Sequence, residues 1–180
     1  MRSLSTRVGL GAIAACIGIG VMSVPVTAHA DSSGLGIRAG AGSYYQRYEL
    51  AWVSPSLWQH QFAESGRLDL VAEAGAAFWK ASGNRERSSV WQIGVTPFLR
   101  WTFSNDIYLE AGVGVNRFSH TRFADKTIST QFQFGSHVGV GVNLSPGSRL
   151  GLRYSHYSNA AIKRPNDGLD VFQLTYTHAF

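Results

Sequence analysis

Apolar residues alternate with polar or small ones along most of the chain beyond residue 30. A representative segment alternates Trp91, Ile93, Val95, Pro97, Leu99 and Trp101 with Gln92, Gly94, Thr96, Phe98 and Arg100. A period of two places the two sets on opposite faces of a β-strand. About eight such segments, each roughly 9–14 residues long, follow one another to the end of the chain. The pattern therefore predicts an all-β, antiparallel fold.

Two all-β architectures fit this alternation, a soluble sandwich and a transmembrane barrel. The segments are longer than the about five or six residues usual for soluble strands. Trp91 and Trp101 flank an apolar stretch, as in the aromatic girdles of membrane barrels. The last residue, Phe180, shares a face with Tyr176 and resembles the terminal assembly signal of bacterial outer-membrane barrels. We therefore predict an eight-stranded antiparallel transmembrane β-barrel.

The other face of these strands carries charges of both signs. They comprise Arg38, Arg47, Glu49, Asp69, Glu73, Arg100, Glu110, Arg149 and Arg153. The interior of an eight-stranded barrel is just wide enough to be filled by side chains. We therefore expect a core of structural ion pairs and no pore.

An even number of strands places both termini on the periplasmic side. The short turns at 104–106 and 145–147 then fall in the periplasm, and the longer connections near 81–89, 119–130 and 159–169 lie outside. The stretch 54–66 is long for a periplasmic turn, and the pattern does not explain it. Pro97 removes a hydrogen-bond donor from its strand, so a local bulge or kink is expected there.

The N-terminus reads as a cleaved secretory signal peptide over residues 1–30, leaving a barrel domain over 31–180. Arg2 and Arg7 precede an apolar run that ends near an Ala28-His29-Ala30 cleavage site. The alternatives are a single spanning helix and a lipoprotein anchored at Cys16, the only cysteine. Removal of residues 1–30 would lower the net charge from +5 to about +3. This mild positive charge, without a basic helix, does not indicate nucleic-acid binding.

Two polar residues continue the apolar face of the strand at 148–158. Leu152 and Tyr154 are followed on that face by His156 and Ser158. Asp170 begins the next strand and would lie opposite His156, with Cβ atoms about 4.5–5.5 Å apart. A serine hydroxyl, an imidazole and a carboxylate form a hydrolytic triad when so arranged. The alternative is an interfacial belt of polar residues without catalytic function.

A sequence signature surrounds this cluster. His156-Tyr-Ser158-Asn159-Ala160 is followed by Pro165-Asn166-Asp167-Gly168-Leu169-Asp170. It resembles the signature of the outer-membrane lipid A 3-O-deacylases (PagL), across essentially the whole mature chain. The resemblance implies a serine esterase that hydrolyses the ester-linked 3-hydroxyacyl chain at the 3-position of lipid A in the outer leaflet.

The resemblance also implies roles for individual residues. Ser158 would be the nucleophile, His156 the general base and Asp170 the orienting acid, although the family often has Glu at that last position. The oxyanion or loop-organising residues would be Asn159, Ala160 and Asn166. The substrate would be lipid A or lipopolysaccharide, and a homodimer is allowed because the family includes dimers.

Basic residues of the outer loops, Lys163, Arg164 and Arg122, are candidates for binding the phosphates of the substrate. We expect no cofactor and no metal, since the histidines lack metal-ligand spacing. The alternative function is a non-catalytic small outer-membrane barrel for adhesion or envelope integrity. An acyltransferase barrel is a further alternative.

Overall fold

The computed structural model describes residues 32–180. The predicted signal peptide lies outside these residues, as does Cys16. The strands are β1 Gly34–Ala41, β2 Tyr45–Val53, β3 Trp58–Phe62, β4 Gly66–Ala81, β5 Ser89–Thr102, β6 Ile107–Phe118, β7 Arg122–Phe123, β8 Lys126–Thr127, β9 Phe132–Ser145, β10 Ser148–Ser158 and β11 Leu169–Ala179. Over 32–180 no helix is long and apolar enough to cross a membrane.

The long strands form one closed antiparallel barrel. They follow the order β2-β1-β11-β10-β9-β6-β5-β4-β3, and pairing of β2 with β4 closes the sheet. Because β2 and β3 pair with successive parts of β4, they occupy a single place in the barrel wall. The predicted eight-stranded antiparallel barrel is thereby confirmed.

The stretch 54–66 is not a turn but the second half of a barrel strand. β2 pairs with β4 from Tyr45↔Ala81 to Val53↔Glu73, and β3 resumes at Trp58↔Leu70. The backbone N–H of Ser54 still donates to the Ala72 carbonyl, at 2.8 Å, so the segment between the two strands stays on the wall. The true turn covers only 63–65.

Pro97 interrupts one ladder without shifting it. β5 pairs with β6 from Gln92↔Phe118 to Val95↔Val115 and again from Phe98↔Gly112. Thr96 and Pro97 drop out of this pairing, yet the register continues unchanged. The break is therefore local, and the barrel wall stays closed through continuous pairing of β5 with β4.

The two ends of the barrel differ. Long connections at 82–88, 119–131 and 159–168 lie at one end, called the loop end. Short turns at 63–65, 103–106 and 146–147 lie with both termini at the other, the turn end. This arrangement follows the predicted distribution of outer loops and periplasmic turns.

Apolar and charged side chains lie on opposite faces of the strands, as predicted. Apolar side chains on the outside are exposed, for example Ile93 at 60% and Leu152 at 62%. Charged residues in the middle of the barrel form ion pairs; for example, Arg153 binds Glu73 at 2.7 Å and Glu110 at 2.5 Å. The middle of the barrel is therefore filled by ion pairs.

An apolar cluster closes the barrel at the loop end. The hairpin formed by β7 and β8 inserts Phe123 and Ile128, both fully buried, against Trp79 and Tyr157. Trp79 packs edge-on against Tyr157, with ring centroids 5.4 Å apart. This apolar cluster, hereafter the plug, packs the β7–β8 hairpin onto the end of the barrel.

Candidate active site

His156 and Asp170 lie opposite each other on β10 and β11, as the strand pattern predicts. His156 Nδ1 and Asp170 Oδ1 are 2.7 Å apart. Their side chains are 42% and 50% exposed, on the outer wall of the barrel near the loop end. A carboxylate at this distance orients the ring and leaves Nε2 free to accept a proton.

Ser158 is the last residue of β10, on the same outward face as His156. Within residues 32–180 its hydroxyl has no hydrogen-bond partner. The structure thus brings Asp170 to His156 and places Ser158 beside them without closing the serine–histidine bond. Catalytic hydrogen bonds of this kind often tighten only when substrate is bound.

A tyrosine phenol holds the backbone of Asp170. β1 ends at Ala41, opposite Phe172, so Asp170 has no neighbouring strand on that side. The Tyr45 hydroxyl accepts from the Asp170 N–H at 2.9 Å and donates to the Asp170 carbonyl at 3.0 Å. Gly42 makes room for the ring, since a Cβ there would lie 2.2 Å from Tyr45 Cε2. One phenol therefore replaces the missing backbone partner.

The 159–168 loop, hereafter the β10–β11 loop, is organised by Asn159. This side chain is fully buried, and its Nδ2 donates to the carbonyls of Ile128 at 2.9 Å and Lys163 at 2.8 Å. The Asn159 N–H in turn donates to Asn166 Oδ1 at 3.3 Å. Asn159 therefore fixes the loop, whereas the Nδ2 of Asn166 makes no hydrogen bond within the described chain.

The same loop contains residues with left-handed backbone conformations. Ala160 and Ala161 have φ of 52° and 62°, and Gly168 has φ of 63°. Gly168 also packs against the imidazole, since a Cβ there would lie 2.9 Å from His156 Cε1. Glycine is therefore required at 168 both for its φ and for the approach of the ring.

The cations predicted to bind phosphate lie around this loop. Lys163 and Arg164 are exposed on the loop itself. Arg122 instead pairs with Glu86 at 2.9 Å across two neighbouring loops. Lys126, on the β7–β8 hairpin, donates from Nζ to the Gly168 carbonyl at 3.1 Å, which places an ammonium close to the triad candidates.

A second serine–histidine pair lies inside the barrel. His137 Nδ1 and Ser155 Oγ are 2.7 Å apart, and Gln173 Nε2 donates to the same hydroxyl at 2.7 Å. Sequence reasoning missed this pair because an irregularity after Ser148 shifts the pairing of β10 with β9 by one residue, and only this shift sets Ser155 opposite His137. Both side chains are buried, so the pair is unavailable to a lipid substrate.

Residues 32–180 contain no group of three or more acidic, histidine or cysteine side chains placed to hold a metal.

Comparison with known proteins shows which family the chain is similar to. Residues 46–179 match the family model described as lipid A 3-O-deacylase (PagL). The chain is 50% identical to the lipid A deacylase PagL of Bordetella bronchiseptica over 85% of this chain and 86% of that protein. It is 33% identical to the lipid A deacylase PagL of Pseudomonas aeruginosa, over 81% and 83% of the two chains.

A solved structure shares the fold. The crystal structure of the outer membrane enzyme PagL superposes with a TM-score of 0.76 at 28% identity, and the match covers 82% of this chain and 99% of that one. The family match extends from β2 to β11 and so includes the strands that hold His156, Ser158 and Asp170. The chain belongs to the PagL family of lipid A 3-O-deacylases.

Proposed function

We propose that this chain is an outer-membrane serine esterase that hydrolyses the 3-hydroxyacyl ester at the 3-position of lipid A. Ser158 is the nucleophile, His156 the general base and Asp170 the orienting acid. The observation that carries these roles is the 2.7 Å bond between His156 Nδ1 and Asp170 Oδ1, on the outer wall beside Ser158. The relationship to lipid A deacylases supports the substrate.

In the first half of the reaction, Ser158 Oγ attacks the ester carbonyl while His156 Nε2 takes the hydroxyl proton. The imidazolium so formed is stabilised by Asp170. The tetrahedral intermediate then expels the sugar 3-oxygen, which receives the proton from His156. In the second half, water attacks the acyl-enzyme, His156 again accepts and returns the proton, and a 3-hydroxy fatty acid is released.

The oxyanion of each intermediate needs hydrogen-bond donors already in place. The Asn166 amide fits this role, because its Oδ1 accepts from the Asn159 N–H while its Nδ2 has no partner among residues 32–180. The backbone N–H of Ala160 is a second candidate, two residues beyond Ser158. Asn159 contributes by holding the loop, since both its amide hydrogens point to carbonyls.

The outward position of the site suits a lipid substrate. Lipid A is itself a component of the outer leaflet, so it reaches a site on the barrel wall by lateral diffusion. Lys163 and Arg164 on the β10–β11 loop would meet its phosphates, whereas Arg122 is already paired with Glu86. Association of two barrels through the lipid-facing wall stays a prediction.

Replacement of Ser158 tests the function directly. Wild type and Ser158→Ala are expressed in a Gram-negative host, and lipid A is weighed by mass spectrometry. Wild type should remove one 3-hydroxyacyl chain, and Ser158→Ala should remove none, because the nucleophile is lost. Ser148→Ala is the matched control, since Ser148 lies on the same face at the other end of β10.

The alternatives give different masses. A non-catalytic barrel would leave lipid A unchanged with either serine, and an acyltransferase would add mass or move a chain. Equal deacylation by wild type and Ser158→Ala would refute the assignment of the nucleophile. The folded state of each variant is checked by the shift in gel mobility that barrels show on heating.

A further inference from the structure

Asp170 receives a second side-chain hydrogen bond, from Tyr154. The Tyr154 hydroxyl lies 2.6 Å from Asp170 Oδ1, the same oxygen that lies 2.7 Å from His156 Nδ1. Tyr154 is two residues before His156 on β10, and its backbone pairs with Phe172, two residues beyond Asp170. The two donors thus approach one carboxylate oxygen from successive positions of the same face.

The exposure of Asp170 explains why the hydrogen bond from Tyr154 matters. The Asp170 side chain is half exposed, at the boundary where the barrel wall meets the outer loops. A single hydrogen bond leaves such a short side chain free to turn away from the imidazole. A bond from a neutral hydroxyl restrains it, and hydrogen bonds to an ionised acceptor are shorter and stronger than neutral ones.

Tyr154 is itself held in place. Its ring packs against Phe172, with centroids 5.0 Å apart, on the outer wall. Its hydroxyl therefore reaches Asp170 along the diagonal between the strands, a distance that long aromatic side chains can span. Together with Tyr45, which binds the backbone of the same residue, it fixes Asp170 at both ends.

We infer that Tyr154 is a positioning residue of the esterase, acting through Asp170 to hold the His156 ring in its catalytic orientation. The inference rests on the proposed function of the Ser158 site. The phenol keeps its proton throughout the reaction and touches neither the ester nor the reacting oxygen.

The test is Tyr154→Phe, which removes the hydroxyl and keeps the ring that packs on Phe172. With lipid A as substrate, kcat should fall about tenfold and KM should stay within about twofold, since the catalytic orientation changes and the binding surface does not. Tyr176→Phe is the matched control. Tyr176 lies on β11 at the turn end, where its hydroxyl is 3.3 Å from Ser148 Oγ, and its loss should change neither constant.

A double-variant cycle separates positioning from a general structural effect. If Tyr154 acts through the carboxylate, Tyr154→Phe should cause no further loss of rate in an Asp170→Ala background. The same tenfold loss in both backgrounds would overturn the inference, as would a Tyr154→Phe enzyme with wild-type kcat.

A second readout does not depend on lipid A. The rate at which a fluorophosphonate labels Ser158 reports activation of the nucleophile, and it should fall about tenfold in Tyr154→Phe and stay unchanged in Tyr176→Phe. Labelling of wild type without release of acyl chains from lipid A would refute the proposed substrate and leave the role of Tyr154 standing. Equal labelling of wild type and Tyr154→Phe would refute that role.

Discussion

Two asparagines of the β10–β11 loop use their amides in opposite ways. Asn159 is fully buried and satisfies two carbonyls, those of Ile128 and Lys163. Asn166 accepts one hydrogen bond through Oδ1 and keeps its Nδ2 free of partners within the described residues. One residue type thus supplies both the scaffold of the loop and its candidate oxyanion donor.

Alanine at each position should therefore have a different effect. Asn166→Ala should lower kcat by about 10²–10³-fold, as for other oxyanion donors, with only a small loss of stability, since the fold loses one long hydrogen bond from the Asn159 N–H. Asn159→Ala should destabilise the fold by about 1–3 kcal/mol, because the buried Ile128 carbonyl loses its donor and the hydrogen bond to the Lys163 carbonyl is lost as well. Steady-state kinetics and thermal unfolding in detergent measure the two effects. Wild-type kcat in Asn166→Ala would assign the oxyanion to backbone donors.

Sequence reasoning located the candidate catalytic pair and missed the tyrosine that contacts it. His156 and Asp170 could be found because strand parity gives the face and the hairpin register gives the opposite residue. Tyr154 was taken as part of the apolar face, since its ring does lie there. The bond from its hydroxyl runs diagonally between the strands and depends on side-chain rotamers, which parity does not specify.

At the level of elements, the β7–β8 hairpin supports the β10–β11 loop. Thr127 N–H donates to Asp167 Oδ2 at 2.6 Å, and the Asp167 N–H donates to the Thr127 carbonyl at 3.1 Å. Ser129 Oγ donates to the Pro165 carbonyl at 2.5 Å. These bonds join two outer loops that are about forty residues apart in sequence. They connect the apolar cluster at the loop end to the loop that carries the candidate active site.

Shortening a plug residue should consequently reduce both stability and rate. Ile128 is fully buried, and Ile128→Ala should cost about 2–5 kcal/mol. We expect kcat to fall as well, because repacking around the shortened side chain should displace the backbone carbonyl of residue 128, which accepts a hydrogen bond from Asn159. Ile162→Ala is the stability control, since Ile162 is 69% exposed and its loss should cost under about 0.5 kcal/mol. Chemical unfolding followed by tryptophan fluorescence measures both. Equal stability of the two variants would contradict a packed plug.

The bounds of the strands could be predicted closely, but the break between β2 and β3 could not. Pro55 and its two flanking serines are typical of a turn, and the alternation stops at this point. The structure instead inserts two extra residues between the paired positions Val53↔Glu73 and Trp58↔Leu70. An even insertion keeps the same residues outward, so the alternation alone gives no sign of it.

In the whole molecule, the residues that stabilise the barrel and those of the candidate site lie on opposite sides of the barrel wall. The interior holds paired charges, and the candidate site lies outside, where the lipid is. Composition and parity were enough to predict both faces, because an eight-stranded barrel leaves room inside only for side chains. The apolar cluster at the loop end could not be predicted, since Phe123 and Ile128 come from a loop in which apolar and polar residues do not alternate.

Removing one interior charge should therefore weaken the fold and spare the chemistry. Glu73 is 6% exposed and binds Arg38 and Arg153, each at 2.7 Å. Glu73→Gln should cost about 3–5 kcal/mol, because Arg38 and Arg153 each lose one of their two buried carboxylate partners. Glu86→Gln, which removes the exposed partner of Arg122, should cost under about 1 kcal/mol.

Guanidinium unfolding in lipid vesicles measures both values, and the folded fraction of Glu73→Gln should deacylate lipid A at the wild-type rate. A loss of kcat without a loss of stability would instead give this interior carboxylate a part in the chemistry.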